Sequence, residues 1–117
     1  MVFICYQNCS TCKKAEEWLR KQGYQFEVRD IKQNRPRLKE LREWQPASGL
    51  PLRRFFNTSG LLYRSMDLKN RLPQMSEDEQ LQLLASDGML VKRPILLYNG
   101  GVLVGFRPDE WEAALNR

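Results

Sequence analysis

Hydrophobic positions change period several times along the chain, and each change predicts an element. Val2-Phe3-Ile4-Cys5-Tyr6 is a β-favouring run bounded by Gln7-Asn8, which predicts a first strand over 2–6. From about Ser10 to Gln22 the period becomes helical, with Cys12, Ala15, Trp18 and Leu19 on one side. Gly23 then stands where a helix ends. Tyr24, Phe26 and Val28 alternate with Gln25, Glu27 and Arg29, the pattern of a half-buried strand. Pro36 suits the first turn of a second helix, Leu38, Leu41 and Trp44 mark its buried stripe, and Pro46 is expected to end it. Short helices are expected around Leu52, Phe55 and Phe56, and around Leu62, Tyr63 and Met66. Ser76 with Glu79 is a capping box opening a helix through Leu84 towards Gly88. Two β runs, 95–98 and 102–106, flank Asn99-Gly100-Gly101 and predict a hairpin. Pro108 begins a last helix with Asp109 and Glu110 in its first turn, where acids suit the helix dipole.

The predicted order is β-α-β, a helical insertion over about 34–90, then β-β-α. The first β-α-β unit implies a parallel pair, and the hairpin adds antiparallel strands. The result is an α/β chain of thioredoxin-like topology with a mixed four-stranded sheet, one domain over 1–117.

Composition sharpens this picture in three places. No apolar run is long enough to span a bilayer, and the opening residues lack a basic leader and a cleavage site. A cytoplasmic monomer, away from membranes, is therefore the expectation. There are three cysteines and no histidine, so a structural zinc site with about four ligands is not expected from this chain. The net charge of +5 suits an anionic partner without pointing to direct nucleic-acid binding, since no recognition motif accompanies it.

Cys9 and Cys12 are three positions apart where the first strand runs into the first helix. Unpaired backbone N–H groups and a positive dipole end stabilise a thiolate there. Cys9, ahead of the helix body, is assigned as nucleophile; Cys12, one turn on and facing inward, is assigned as the resolving thiol. Cys5, mid-strand, reads as a small core residue. Pro94 enters the third strand beside this site and is expected to follow a cis bond. Arg93 would then lie near the thiols, with Arg107 a weaker candidate for the same basin. Ser10 and Thr11, between the cysteines, complete the candidate anion- and substrate-binding set.

Cys9-Ser10-Thr11-Cys12-Lys13-Lys14-Ala15, Arg54-Phe55-Phe56-Asn57-Thr58-Ser59-Gly60, Lys92-Arg93-Pro94-Ile95-Leu96 and Val104-Gly105-Phe106 together resemble the arsenate-reductase-like (ArsC/Spx) family. The resemblance covers essentially the whole chain. It implies a thioredoxin-like fold with a helical insertion, and it offers three activities. In glutaredoxin-coupled arsenate reductases a single catalytic cysteine matches Cys9, and two oxyanion-binding arginines match Arg93 and Arg107. Their third arginine falls at Asn57, and Cys12 is an addition to their pattern. In Spx-type regulators, which bind RNA polymerase, a CxxC redox switch matches Cys9 and Cys12. This sequence resembles the CxxC-bearing relatives most, and the reading of a thiol–disulfide oxidoreductase comes from its own Cys9 and Cys12. No bound cofactor is implied; glutathione, thioredoxin or glutaredoxin would act as external reductant.

Overall fold

Phe3, Ile4 and Cys5 are all buried although neighbours on a strand face opposite ways, so their strand must be covered on both sides. It is: β1 (Val2–Cys5) runs through the interior of a four-stranded sheet ordered β2-β1-β3-β4. In the computed structural model, which describes residues 1–116, β1 is followed by α1 (Ser10–Lys21) and β2 (Glu27–Asp30). A helical stretch contains α2 (Leu38–Ser48), α3 (Leu61–Ser65), α4 (Leu68–Arg71) and α5 (Glu77–Ser86), with short 3₁₀ turns between them. β3 (Ile95–Tyr98), β4 (Gly101–Val104) and α6 (Pro108–Leu115) close the chain. β1 pairs parallel with β2 and antiparallel with β3, which pairs antiparallel with β4. The thioredoxin-like order and mixed sheet are as expected.

The two sheet faces carry two cores. Phe3 and Cys5 pack with Cys12, Ala15 and Leu19 of α1 and Trp111 of α6. Ile4 points the other way, among residues of the helical stretch such as Leu41, Phe55, Leu68 and Leu84. The first core is rich in aromatics: the rings of Phe106 and Trp111 meet edge to face at 5.0 Å, and Trp18 lies 6.2 Å from Trp111. Among the described residues no helix is long and apolar enough to cross a membrane.

Three expectations need correction. The second strand forms over Glu27–Asp30 rather than from Tyr24, and Val28 is 54% exposed. β2 is an edge strand, and Phe26, just before it, packs against Phe3 at 5.6 Å where Val28 was expected to contribute. Pro36 precedes α2 instead of sitting in its first turn. Arg37 is the N-cap, and its amide donates to the Glu40 carboxylate at 3.0 Å. Pro46 does not end α2. It lies exposed in the last turn, and the helix runs on to Ser48 and stops at Gly49 with φ 70°. An exposed last turn tolerates the missing donor because water can satisfy the freed carbonyl.

Elsewhere pattern and structure agree closely. Ser76 and Glu79 exchange both bonds of their capping box, at 3.0 and 3.1 Å. Asn99-Gly100 forms a two-residue hairpin turn, with Tyr98 opposite Gly101. Beyond β4 the Gly105 amide donates to the Pro94 carbonyl at 2.8 Å, and the Trp111 indole donates to the Gly105 carbonyl at 2.9 Å. These bonds fasten the β4–α6 connection to the start of β3.

Candidate active site

Cys9 caps α1. Its backbone is extended (φ −110°, ψ 118°), so its carbonyl already accepts from Lys13 while its side chain turns back over the first turn. The Cys12 amide donates to Cys9 Sγ at 3.4 Å. Cys12 itself points into the core, where its Sγ accepts from the Tyr6 amide at 3.4 Å. Cys9 is partly exposed, Cys12 is buried, and both are free thiols. One turn of helix thus produces a reachable sulfur above a hidden one.

Their electrostatics diverge as strongly as their exposure. Burial works against a Cys9 thiolate, but the Cys12 amide, the Cys12 thiol and the Arg93 guanidinium beside it outweigh that cost. The Cys9 thiol accordingly lies below its ordinary value. Burial pushes the Cys12 thiol up to about 12, and the neighbouring Cys9 adds to the rise. Cys5 is raised to about 11, first by burial and then by Glu16, Asp30 and Cys9. A low-pKa exposed sulfur beside a high-pKa buried one is the arrangement that separates an attacking thiolate from a thiol held in reserve.

Arg93 stands beside the pair, just ahead of β3. The Arg93–Pro94 peptide bond is cis, as the sequence suggested. The guanidinium carbon lies 5.2 Å from the Tyr6 ring centroid, a cation–π contact that fixes the side chain next to the Cys9 loop. Its Nε and Nη1 are buried and find no hydrogen-bond partner among the described residues. Pro94 is buried and its carbonyl is occupied by Gly105. Ser10 and Thr11 are exposed in the first turn of α1, flanking Cys9. Arg107 is not gathered in. It is the N-cap of α6, its side chain is 67% exposed, and it pairs with Glu110 at 3.6 Å. An i, i+3 acidic neighbour competes for its charge.

Two participants escaped the sequence reading. By pattern Tyr6 is the last residue of a strand, yet its amide holds Cys12 and its ring carries Arg93. Asn57 is the one buried polar residue of the described chain. Its amide donates to the Leu90 carbonyl at 2.8 Å, and with Arg93 it lines a cavity of about 450 Å³. Its place directly after Phe55-Phe56 is the available signal. Among the described residues no three His, Cys, Asp or Glu side chains come together as metal ligands.

Residues 5–114 match the model of the ArsC family. The chain belongs to the ArsC family. Within it, the chain is 47% identical over 112 residues to YusI of Bacillus subtilis, covering 96% of this chain and 95% of that protein. The crystal structure of an ArsC-family-related protein from Bacteroides fragilis superposes with a TM-score of 0.94 at 47% identity, over 97% of this chain and 95% of that one. A more distant relative is the regulatory protein MgsR of Bacillus subtilis, 26% identical over 94% of this chain and 86% of its own length. Relatives of this chain therefore include a regulatory protein and one described as a possible arsenate reductase, from Streptococcus mutans, so the site rather than the membership must discriminate.

Proposed function

We propose that this ArsC-family protein is a thiol–disulfide oxidoreductase with Cys9 as nucleophile and Cys12 as resolving thiol. The observation that carries the reading is the pairing of a half-exposed Cys9, held at the N-terminus of α1 by the Cys12 amide and faced by Arg93, with a buried Cys12 one turn away. The Cys9 thiolate attacks one sulfur of a disulfide, forms a mixed disulfide and expels the other half as a thiolate. Cys12 then loses its proton and attacks the Cys9 sulfur. The second half leaves as a thiolate, and a Cys9–Cys12 disulfide remains. Two electrons from glutathione or a thioredoxin-type dithiol restore both thiols.

The experiment is turnover of a glutathione mixed disulfide with a glutathione or thioredoxin reducing system. Cys9→Ser is expected to abolish turnover. Cys12→Ser is expected to stop the cycle with a mixed disulfide on Cys9, visible as a mass increment. Full turnover by Cys9→Ser rejects the assignment.

Arsenate reduction fits less well, because Asn57 stands at the position of the third oxyanion arginine and Arg107 is engaged by Glu110. A redox-sensing regulator that grips RNA polymerase is the second reading, favoured by the likeness to MgsR. The same cysteine pair would then be the sensor, and pull-down of RNA polymerase by the oxidised but not the reduced protein would support that reading over catalysis.

A further inference from the structure

The cavity beside Arg93 is unlike the rest of the site. Its volume of about 450 Å³ is in the range of small-molecule pockets. Leu61, Leu62 and Met89 give it mostly apolar walls, while Arg93, Asn57 and Ser59 supply the polar points. Leu61 is 81% exposed, the most exposed of the large hydrophobic side chains in the described chain, and it stands at this cavity. Leu61 thereby extends the apolar walls of the cavity to its rim, and a contiguous apolar hollow with a few polar points is the form of a ligand site. Arg93 provides the charge: its Nε and Nη1 have no hydrogen-bond partner among the described residues, and the guanidinium otherwise has the Cys9 sulfur and the Tyr6 ring as favourable neighbours. Asn57 and Ser59 are already turned towards each other, with Ser59 Oγ 3.5 Å from Asn57 Oδ1, so the unmet demand belongs to the arginine.

Arg93 also connects this cavity to the sulfur. The same guanidinium lines the cavity and lies beside Cys9. Resting on the dithiol chemistry above, we infer that the cavity selects the disulfide substrate: it holds the half that becomes bonded to Cys9, and that half has an apolar body and a carboxylate. The carboxylate pairs with the Arg93 guanidinium at the cavity wall, and the apolar body lies along Leu61, Leu62 and Met89. Attack by the Cys9 thiolate forms the new S–S bond to this half and releases the other half as thiolate. Attack by Cys12 later frees the held half, leaving the Cys9–Cys12 disulfide for an external dithiol to reduce. A compact oxyanion would use the arginine and leave the apolar walls uncovered.

The test uses the reduced full-length protein and three symmetrical disulfides: dithiodibutyrate (apolar body, anionic), hydroxyethyl disulfide (short, neutral) and cystamine (short, cationic). Each rate of reaction with Cys9 is divided by the rate of free glutathione with the same probe, which removes intrinsic reactivity. Dithiodibutyrate is expected to exceed hydroxyethyl disulfide by at least about tenfold, the factor given by a 1.4 kcal/mol difference, with cystamine lowest. Leu61→Asp places a like charge at the cavity while altering a solvent-exposed position, so the fold is not put at risk. It is expected to shrink the dithiodibutyrate-to-cystamine ratio severalfold. Equal normalised rates for all three probes, with the ratio unmoved in Leu61→Asp, overturn the inference and leave the dithiol chemistry standing. Failure of Cys9 to react with any of the three overturns both.

Discussion

The Cys12 amide points at the Cys9 sulfur across 3.4 Å, while the Cys12 sulfur receives the Tyr6 amide at the same distance. Each sulfur therefore has one backbone donor, yet only Cys9 becomes acidic, because the Cys12 thiol and the Arg93 guanidinium stand beside it while Cys12 is buried. Equal backbone hydrogen bonding with unequal side-chain neighbours and burial makes the site asymmetric. Iodoacetamide near neutral pH is expected to modify Cys9 at least about 100-fold faster than Cys12 or Cys5, since each pKa unit changes the thiolate fraction tenfold. Mass mapping of the labelled protein measures it. Arg93→Gln is expected to move the pH inflection of Cys9 labelling upward; an unchanged inflection would show that the guanidinium does not act on the thiolate.

Much of this site was legible in the residues. A CxxC between a strand and a helix fixes which sulfur caps and which points inward, because helical geometry leaves little choice. The turn at Asn99-Gly100, the capping box at Ser76 and the entry of Pro94 into β3 are likewise local chemistry. What failed was non-local. Alternation suggested that Val28 is inside and Arg29 outside, but β2 is an edge strand and Arg29 turns under α2, its side chain 14% exposed. Nothing within the strand itself carries that information; it depends on where α2 lands. The same holds for Tyr6, whose partners come from residues 12 and 93.

Arg29 yields a stability prediction. It makes two bonds to the Glu40 carboxylate, at 2.7 and 2.8 Å, and donates to the carbonyls of Asn34 and Arg35. Its guanidinium also lies 5.5 Å from the Trp44 ring centroid. The Arg29 hydrogen bonds hold the Glu40 carboxyl below its usual range. Arg20, by contrast, is 63% exposed and pairs with Glu16 one helical turn away. Arg29→Ala is expected to cost about 2 kcal/mol or more, as charged, partly buried hydrogen bonds do, whereas Arg20→Ala, which loses an exposed pair and a cation–π contact with Phe26 at 5.0 Å, costs about 1 kcal/mol. Urea unfolding of both variants measures the contrast, and equal losses would refute the structural role given to Arg29.

Gly88 shows where the helical stretch is clamped to the sheet side. A Cβ built there would sit 1.8 Å from the Ile31 carbonyl oxygen, a backbone atom that cannot move aside cheaply. Ile31 is itself anchored, its amide donating to the Cys5 carbonyl at 2.9 Å. Gly88→Ala is therefore expected to lower stability by about 3 kcal/mol, at the upper end of overpacking costs. Gly23 has open space around it but a φ of +84°, so Gly23→Ala costs only the backbone strain of about 1–2 kcal/mol. Thermal melts of the two variants are expected to rank in that order.

The buried thiols also set an alkaline limit on the fold. Cys5 and Cys12 are raised to about 11 and about 12, while an unfolded cysteine ionises near 8.5. Between those values the unfolded chain has lost protons that the folded one keeps, so stability falls as pH rises. Below about 8.5 the contribution of both thiols is fully present. Cys9 has the opposite sign: its lowered pKa stabilises the folded state above the unfolded value, and that contribution is lost as pH falls through the folded one. Urea unfolding of the reduced protein is thus expected to weaken steadily from about pH 9 towards 11. Replacing Cys5 with Ala removes one titrating group from this limb and is expected to flatten its slope by up to about 1.4 kcal/mol per pH unit. The packing loss of that substitution shifts the whole curve without changing its slope, so the two effects separate. Parallel curves for wild type and Cys5→Ala over this interval would show that the Cys5 thiol ionises as readily in the fold as outside it.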